Sequence, residues 1–379
     1  MKKIYVAISI LTLLCMLPAI TGNTYLYKAV KLTFLKGKRT ASINDYKYFN
    51  TRIVKADTHK PWSMSNKYNS IPLSKKLDST LTVTKSIAFL VVKNDSIVLE
   101  YYWDGYNQDS YSNSFSMSKS IISSLIGIAI EEGAIQTVFD NINKYIPSFS
   151  SDINLTIKDL LTMTAELDWQ ESYYGPFSST AKSYYGRDIE NYLFNVGVVE
   201  SPSNKFQYQS GATQLLSMVL KNATGTNISE YASEKIWKPI RSKNDALWML
   251  DSKNGNEIAY CCFNSNARDF ARLGKLYLNN GKWDSVQIIH PDYVRVATSS
   301  KNLVNEKGNP VNYYGYQWWL INRHNMDIFY ASGLHGQYII NIPEKNMIIV
   351  RLGHSNGEKK DPHRPSMLNY IDETLKMFK

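Results

Sequence analysis

Two short apolar runs, residues 87–92 and 97–102, flank the turn-forming tetrapeptide Lys93-Asn94-Asp95-Ser96. Their β-branched content and that turn predict a β-hairpin. The same texture returns late in the chain, where strands are expected over 313–321, 328–331, 338–342 and 347–352. The last two flank a second turn, Pro343-Glu344-Lys345-Asn346. Between the two ends the apolar spacing is helical, as in 156–163, 212–220, 228–236 and 267–278, and an amphipathic helix over 367–377 closes the chain. Strands at both ends with helices between imply an α+β fold. Its antiparallel sheet would be built from N- and C-terminal segments flanked by helices, with a mostly helical subdomain inserted at roughly residues 116–300. A cleft between two such parts is a usual place for a site.

One helical run departs from the amphipathic pattern. Ile121, Ile122, Leu125, Ile126, Ile128, Ala129 and Ile130 make it apolar nearly all round, which predicts a central buried helix. Ser116-Met117-Ser118-Lys119 stands at its start. A serine and a lysine three positions apart share one helix face, so hydroxyl and amine are neighbours. Desolvated in that run, the amine would be partly neutral near pH 7 and able to take the hydroxyl proton. The free N–H groups at the helix start would point at an oxyanion forming on the serine. A second match, Ser179-Thr180-Ala181-Lys182, lies in a polar stretch rich in Tyr and Gly with no apolar helix behind it, and reads as a loop.

The chain has 379 residues, 44% hydrophobic and 13% aromatic, enough for one large globular domain or two interleaved ones. Its net charge of +10 is concentrated: residues 23–85 carry thirteen Lys/Arg against Asp45, Asp57 and Asp78. From residue 86 onward the chain is nearly neutral, which argues against nucleic acid binding by that part. The expected organisation is a signal peptide or membrane anchor over 1–22, a basic segment over 23–80 and a catalytic domain over 81–379. Lys2 and Lys3 precede seventeen apolar positions, 4–20, which read as an export signal or uncleaved anchor and put the domain outside the cytoplasmic membrane, in the periplasm or facing outward. The basic segment is either a solvated linker or a contact with anionic lipid headgroups. Cys15 stands alone. Cys261-Cys262 are adjacent, a spacing that does not suit an unstrained ordinary disulfide, and read as packing residues. The six histidines never fall four apart, so no metal site is expected.

Two further clusters could join Ser116. Tyr208, in Phe206-Gln207-Tyr208-Gln209-Ser210-Gly211, precedes the helix at 212–220. Beside a lysine ammonium its phenol pKa would fall, which suits proton shuttling; a loop tyrosine without a role is the alternative. Gly333-Leu334-His335-Gly336-Gln337 opens a strand, where glycines let a ligand approach the backbone and the next N–H can face an oxyanion.

Together Ser116-x-x-Lys119, Tyr208-x-Ser210 and the glycine-flanked triplet resemble the class C β-lactamase-related, penicillin-binding-protein-like serine hydrolases. The segments 156–164, 266–274 and 278–283 agree, so the likeness runs over about residues 81–379 in the expected order. The Gly-x-x-Gly-Gln-Tyr ending and Leu167-Asp168-Trp169 look most like the 6-aminohexanoate-oligomer hydrolase and esterase branch. That resemblance implies an acyl-enzyme mechanism without a cofactor on a small ester or amide substrate. Ser116 would be the nucleophile, Lys119 its base and Tyr208 the proton donor to the leaving group. The N–H groups of Ser116 and Gln337 would form the oxyanion hole, and Tyr173, Ser210, His335 and Gly336 would contact substrate. Two departures weigh against efficient β-lactam hydrolysis: Leu334-His335-Gly336 replaces the family's Lys-Thr-Gly, and Tyr-x-Ser replaces Tyr-x-Asn. The lost lysine leaves a second reading open, a cell-surface penicillin-binding or sensing module without efficient turnover.

Overall fold

The computed structural model describes residues 4–5, 15–149 and 153–378. Lys2, Lys3 and most of the apolar N-terminal stretch, and with them the core of the export-signal reading, lie outside the described residues. Among the described residues no helix is long and apolar enough to cross a membrane.

The main sheet is assembled from the two ends of the chain. Its strands are β1 (Ser63–Met64), β2 (Ser86–Lys93), β3 (Ser96–Tyr102), β4 (Trp319–Arg323), β5 (Met326–Gly333), β6 (Gln337–Ile342) and β7 (Met347–Gly353), in the order β4-β5-β6-β7-β2-β3-β1. All pairings are antiparallel except that of the two-residue edge strand β1. The β2–β3 hairpin turns on Asn94 and Asp95, at φ 49° and 61°, a left-handed pair that Asn and Asp tolerate better than other side chains. The seam between the ends is β7 on β2, with Met347 opposite Lys93 and Leu352 opposite Ala88.

Helices cover both faces. On one side Lys75–Val83 and Pro365–Met377 bury Leu77, Leu81, Tyr370 and Ile371 against Phe89 and Val91. On the other side Ala267–Leu278 presses so close that a Cβ on Gly274 would stand 2.7 Å from Asn341 Oδ1 and 2.8 Å from Ile348 Cγ2. Behind it runs α1 (Ser118–Glu131), buried from Ser118 to Ala129. Its buried serines are satisfied: Ser118 Oγ donates to the Ala259 carbonyl (3.0 Å) and Ser120 Oγ to that of Gln317 (2.7 Å). The long helix α2 (Ser210–Thr224) packs against α1.

The structure amends several expectations. The basic segment is no free linker: Thr51–Val54 pairs with Ala246–Met249, and Tyr25, Ala29, Leu32, Ile43 and Val54 enter the core. Two of its cations sit over aromatic rings, Lys28 3.4 Å from the Phe49 centroid and Lys36 3.2 Å from that of Tyr48. Ser179–Tyr185 is a helix rather than a loop, started by Ser178 Oγ accepting from the Ala181 N–H at 3.2 Å. The run at 313–321 becomes a strand only from Trp319, and the helix at 228–236 ends at Ala232 and continues as a wider turn, Ser233–Trp237.

The tip of β5 fixes the distance between sheet and helical subdomain. A Cβ on Gly333 would stand 2.1 Å from the Ser114 carbonyl oxygen, a backbone atom that cannot rotate aside. Gly333→Ala should therefore lower unfolding stability by about 1–3 kcal/mol, the usual range for overpacking, read as a reduced midpoint in urea titration. An unchanged midpoint would mean that the two layers slide freely at this point.

Candidate active site

Ser116 lies in a tight turn, Phe115–Met117, that feeds directly into α1. Phe115 holds a left-handed backbone, φ 46°, which lifts the next residue out of the helix path. Ser116 stays partly exposed while Lys119, one turn on, is 1% exposed. The Lys119 amine reaches three oxygens: Tyr260 O at 2.8 Å, Ser210 Oγ at 3.0 Å and Ser116 Oγ at 3.3 Å. Burial pushes its pKa down to about 7, and the Glu171 carboxylate resists that fall. A neutral amine has two N–H donors and one lone pair. With Tyr260 and Ser210 taking the donors, the lone pair is left for the Ser116 proton.

Ser210 relays this arrangement outward. Its hydroxyl accepts from Lys119 and donates to Glu171 Oε1 at 2.8 Å, while its backbone N–H, the first of α2, donates to Glu171 Oε2 at 2.8 Å. Trp169 Nε1 donates to the same carboxylate at 2.6 Å. The carboxylate thus caps a helix N-terminus, where the helix dipole favours negative charge. The Gln209 amide clips the neighbouring strand of chain in place, accepting from Leu167 N at 3.1 Å and donating to Leu167 O at 2.7 Å. Sequence reasoning missed Glu171 as a site residue. The available signal was its place two positions after Trp169 and two before Tyr173.

Tyr208 meets Ser116 as expected, but its phenol titrates the other way. Burial and the Glu171 charge push its pKa up, and the hydrogen bond to Ser116 only moderates the rise. The expected fall beside a lysine ammonium does not occur: desolvation dominates, and Lys119, with a pKa of about 7, is only partly charged near neutral pH. Tyr208 therefore holds its proton at neutral pH. Tyr173 borders the same space, its phenol also pushed up by burial and by Glu171.

The late-strand triplet is placed differently from the expectation. His335 and Gly336 border neither cavity at Ser116. His335 has a left-handed backbone (φ 65°), its Nε2 lies 2.8 Å from the Ala41 carbonyl, and burial lowers its pKa. It is neutral and turned to the N-terminal segment, so it does not replace the absent lysine as a cation. Beneath the turn lies Arg351, wholly buried, donating to Ser86 Oγ (2.9 Å), His335 O (2.7 Å), Gly336 O (2.8 Å) and the Thr84 carbonyl. In a trans peptide the N–H points opposite to the C=O. With Gly336 O on Arg351, the Gln337 N–H is directed away from that cation. The Gln337 side chain is also clamped, donating to Gly353 O at 2.7 Å and accepting from Gly353 N at 3.0 Å.

Cys261 and Cys262 are joined in a disulfide, correcting the reading of two free packing thiols. Adjacent side chains diverge in extended backbone, but Cys262 stands at φ 77° within a turn. That turn also presents the Tyr260 carbonyl to Lys119 and puts Cys261 on the wall of a cavity at Ser116. Among the described residues no group of three or more His, Cys, Asp or Glu is arranged to hold a metal ion.

Known proteins resemble this chain in sequence and in fold. The family model described as Beta-lactamase matches residues 81–374. The 6-aminohexanoate-dimer hydrolase of Paenarthrobacter ureafaciens is 25% identical over 295 residues, covering 73% of this chain and 74% of that protein. A Bacillus anthracis structure provisionally named a 6-aminohexanoate-dimer hydrolase superposes with a TM-score of 0.77 at 22% identity, covering 89% of this chain and 92% of that one. A family VIII carboxylesterase superposes with a TM-score of 0.62 at 14% identity, covering 84% and 99%. The last two likenesses speak to the fold.

The lysine environment is directly measurable. An NMR titration of the Lys119 amine should give a midpoint near 7. Glu171→Gln removes the negative charge that favours the ammonium, so the midpoint should move to lower pH. A midpoint near the ordinary lysine value of about 10.4 would contradict the buried neutral amine.

Proposed function

Because the chain belongs to the Beta-lactamase family, whose members here include amide- and ester-cleaving hydrolases, we propose that it hydrolyses an ester or amide through an acyl-enzyme on Ser116. The observation that carries this reading is a buried Lys119 amine, its pKa lowered to about 7 and so partly neutral near that pH, 3.3 Å from the Ser116 hydroxyl in a solvent-reachable crevice.

The steps follow from the residues. Lys119 takes the Ser116 proton as Oγ bonds to the substrate carbonyl carbon. The developing oxyanion is received by the N–H groups of Ser116 and Gln337, a role that the Arg351 clamp on the Gly336 carbonyl supports. Tyr208, protonated at neutral pH, gives its proton to the leaving oxygen or nitrogen as that bond to carbon breaks, and regains one from the Lys119 ammonium. Water then adds to the acyl carbon as Lys119 takes its proton, and Lys119 returns that proton to Ser116 Oγ as the bond to carbon breaks and the acid leaves. One water is consumed per bond cleaved. The export signal read at the N-terminus adds a location to this proposal, outside the cytoplasmic membrane.

The substrate is an open ester or amide rather than a β-lactam, since Leu334 stands where the family's triplet has its lysine, and the neighbouring His335 is neutral and tied to the Ala41 carbonyl. A low-pKa amine also favours turnover over a static binding module.

An alkyl phosphonate probe should label wild type at Ser116, and Ser116→Ala should lower kcat by roughly three or more orders of magnitude. Hydrolysis of p-nitrophenyl acetate should greatly exceed that of nitrocefin. Since the base must be neutral, kcat/KM should rise with pH through about 7 and level off above it. Undiminished turnover in Ser116→Ala would defeat the proposal.

A further inference from the structure

Ser116 stands between two spaces of unlike character. The outer cleft, about 1330 Å³ with its opening, is bordered by Tyr208, Trp319 and the charged Lys359, Asp361 and Arg364. The inner cavity, about 710 Å³ with its mouth, is mostly apolar and aromatic. One of its walls is the N-terminal segment: Ala29 and Thr33 from the helix Tyr25–Leu32 and its end, then Arg39, Thr40 and Ala41. This wall precedes the region that the family model covers.

The wall is anchored at both ends. Tyr25 Oη donates to the Pro176 carbonyl at 3.0 Å, tying the helix to the loop that carries Tyr173 and Tyr174 across the cavity. At the other end the Ala41 carbonyl is held by His335 at 2.8 Å. Residues 23–41 carry Lys28, Lys31, Lys36, Lys38 and Arg39 and no carboxylate. Lys28 and Lys36 rest on aromatic rings and Lys38 Nζ donates to Ser42 Oγ at 2.8 Å. Arg39 is the only charged side chain bordering the inner cavity, and it makes no hydrogen bond or ion pair within the described residues. An apolar cavity whose lining includes one exposed, unengaged guanidinium suits a chain that is apolar along its length and anionic at its tip.

Resting on the acyl-enzyme reading above, we propose that the inner cavity is the acyl subsite and that it selects acyl groups ending in a carboxylate, received by Arg39. The side is assigned by Tyr208: the proton donor to the leaving group borders the outer cleft and not the inner cavity. The leaving group therefore departs outward and the acyl chain occupies the inner space. With the p-nitrophenyl half-ester of succinic acid, Ser116 Oγ bonds to the ester carbon and p-nitrophenolate leaves. Water then displaces Ser116 and succinate is released.

The test holds the leaving group constant and changes only the acyl tip, using the full-length protein with p-nitrophenyl hemisuccinate and the near-isosteric p-nitrophenyl butyrate. The wild-type ratio of kcat/KM should favour the half-ester by about two- to fivefold, as an ion pair to an exposed guanidinium allows, and should fall with added salt. Arg39→Ala should bring the ratio near one, Arg39→Glu should invert it, and Arg39→Lys should keep most of it. Ala29→Phe, which narrows the cavity, should depress both four-carbon esters relative to p-nitrophenyl acetate. Identical ratios in wild type, Arg39→Ala and Arg39→Glu, with turnover still abolished by Ser116→Ala, would overturn the acyl-tip assignment and leave the hydrolase reading standing. Turnover that survives Ser116→Ala would overturn the hydrolase reading itself.

Discussion

The structure turns on keeping one amine dry. Lys119 is buried away from solvent, and the protein offers it two acceptors that hold its N–H groups and one hydroxyl that meets its lone pair. An amine in that position is partly neutral at a pH where an exposed lysine is almost wholly charged. Everything around it serves this dryness. The helix that carries it is buried along nearly its whole length, the turn at Tyr260 supplies a carbonyl from the far side, and Ser210 supplies a hydroxyl from the start of a second helix.

Glu171 sets the opposing pull. A carboxylate so near a basic group would ordinarily charge it, but its oxygens are already engaged by Trp169 and by both the hydroxyl and the backbone N–H of Ser210. Its influence on Lys119 arrives through Ser210 rather than by direct contact. The amine is thus balanced between desolvation, which favours the free base, and an attenuated negative charge, which favours the ammonium. Tyr208 feels the same carboxylate and burial, and both keep its proton on. One local field therefore sustains a free base and a protonated acid side by side.

Much of this was readable from residue order. The hairpin at 86–102, the C-terminal strands and the Ala267–Leu278 helix follow from periodicity, and the Ser116/Lys119 pair follows from a three-residue spacing before an apolar run. What escaped has a common physical character: it depends on residues distant in sequence. Thr51–Val54 finds Ala246–Met249, far along the chain and inside the helical subdomain, and strands of two to four residues carry too little alternation to announce themselves. Glu171 looks like any loop acid until Ser210 and Trp169 converge on it. His335 stands among the expected substrate contacts because it belongs to the triplet that matches the family's, yet a left-handed backbone and the carbonyl at Ala41 turn it away from the crevice. The Cys261–Cys262 bond was set aside on spacing alone, and the turn that permits it was not visible in composition.

The seam between β2 and β7 has a consequence for how the chain reaches this state. Residues near 90 find their sheet partners near 350, so the central ladder cannot zip until the chain through Met347–Gly353 has been synthesised. Topologies dominated by such distant pairings fold slowly, because loop closure must precede any reward. Until then β2, apolar on both faces, has an unpaired edge. The nascent protein thus waits with its stickiest strand uncovered, and its burden on the cell's folding helpers is set by translation time.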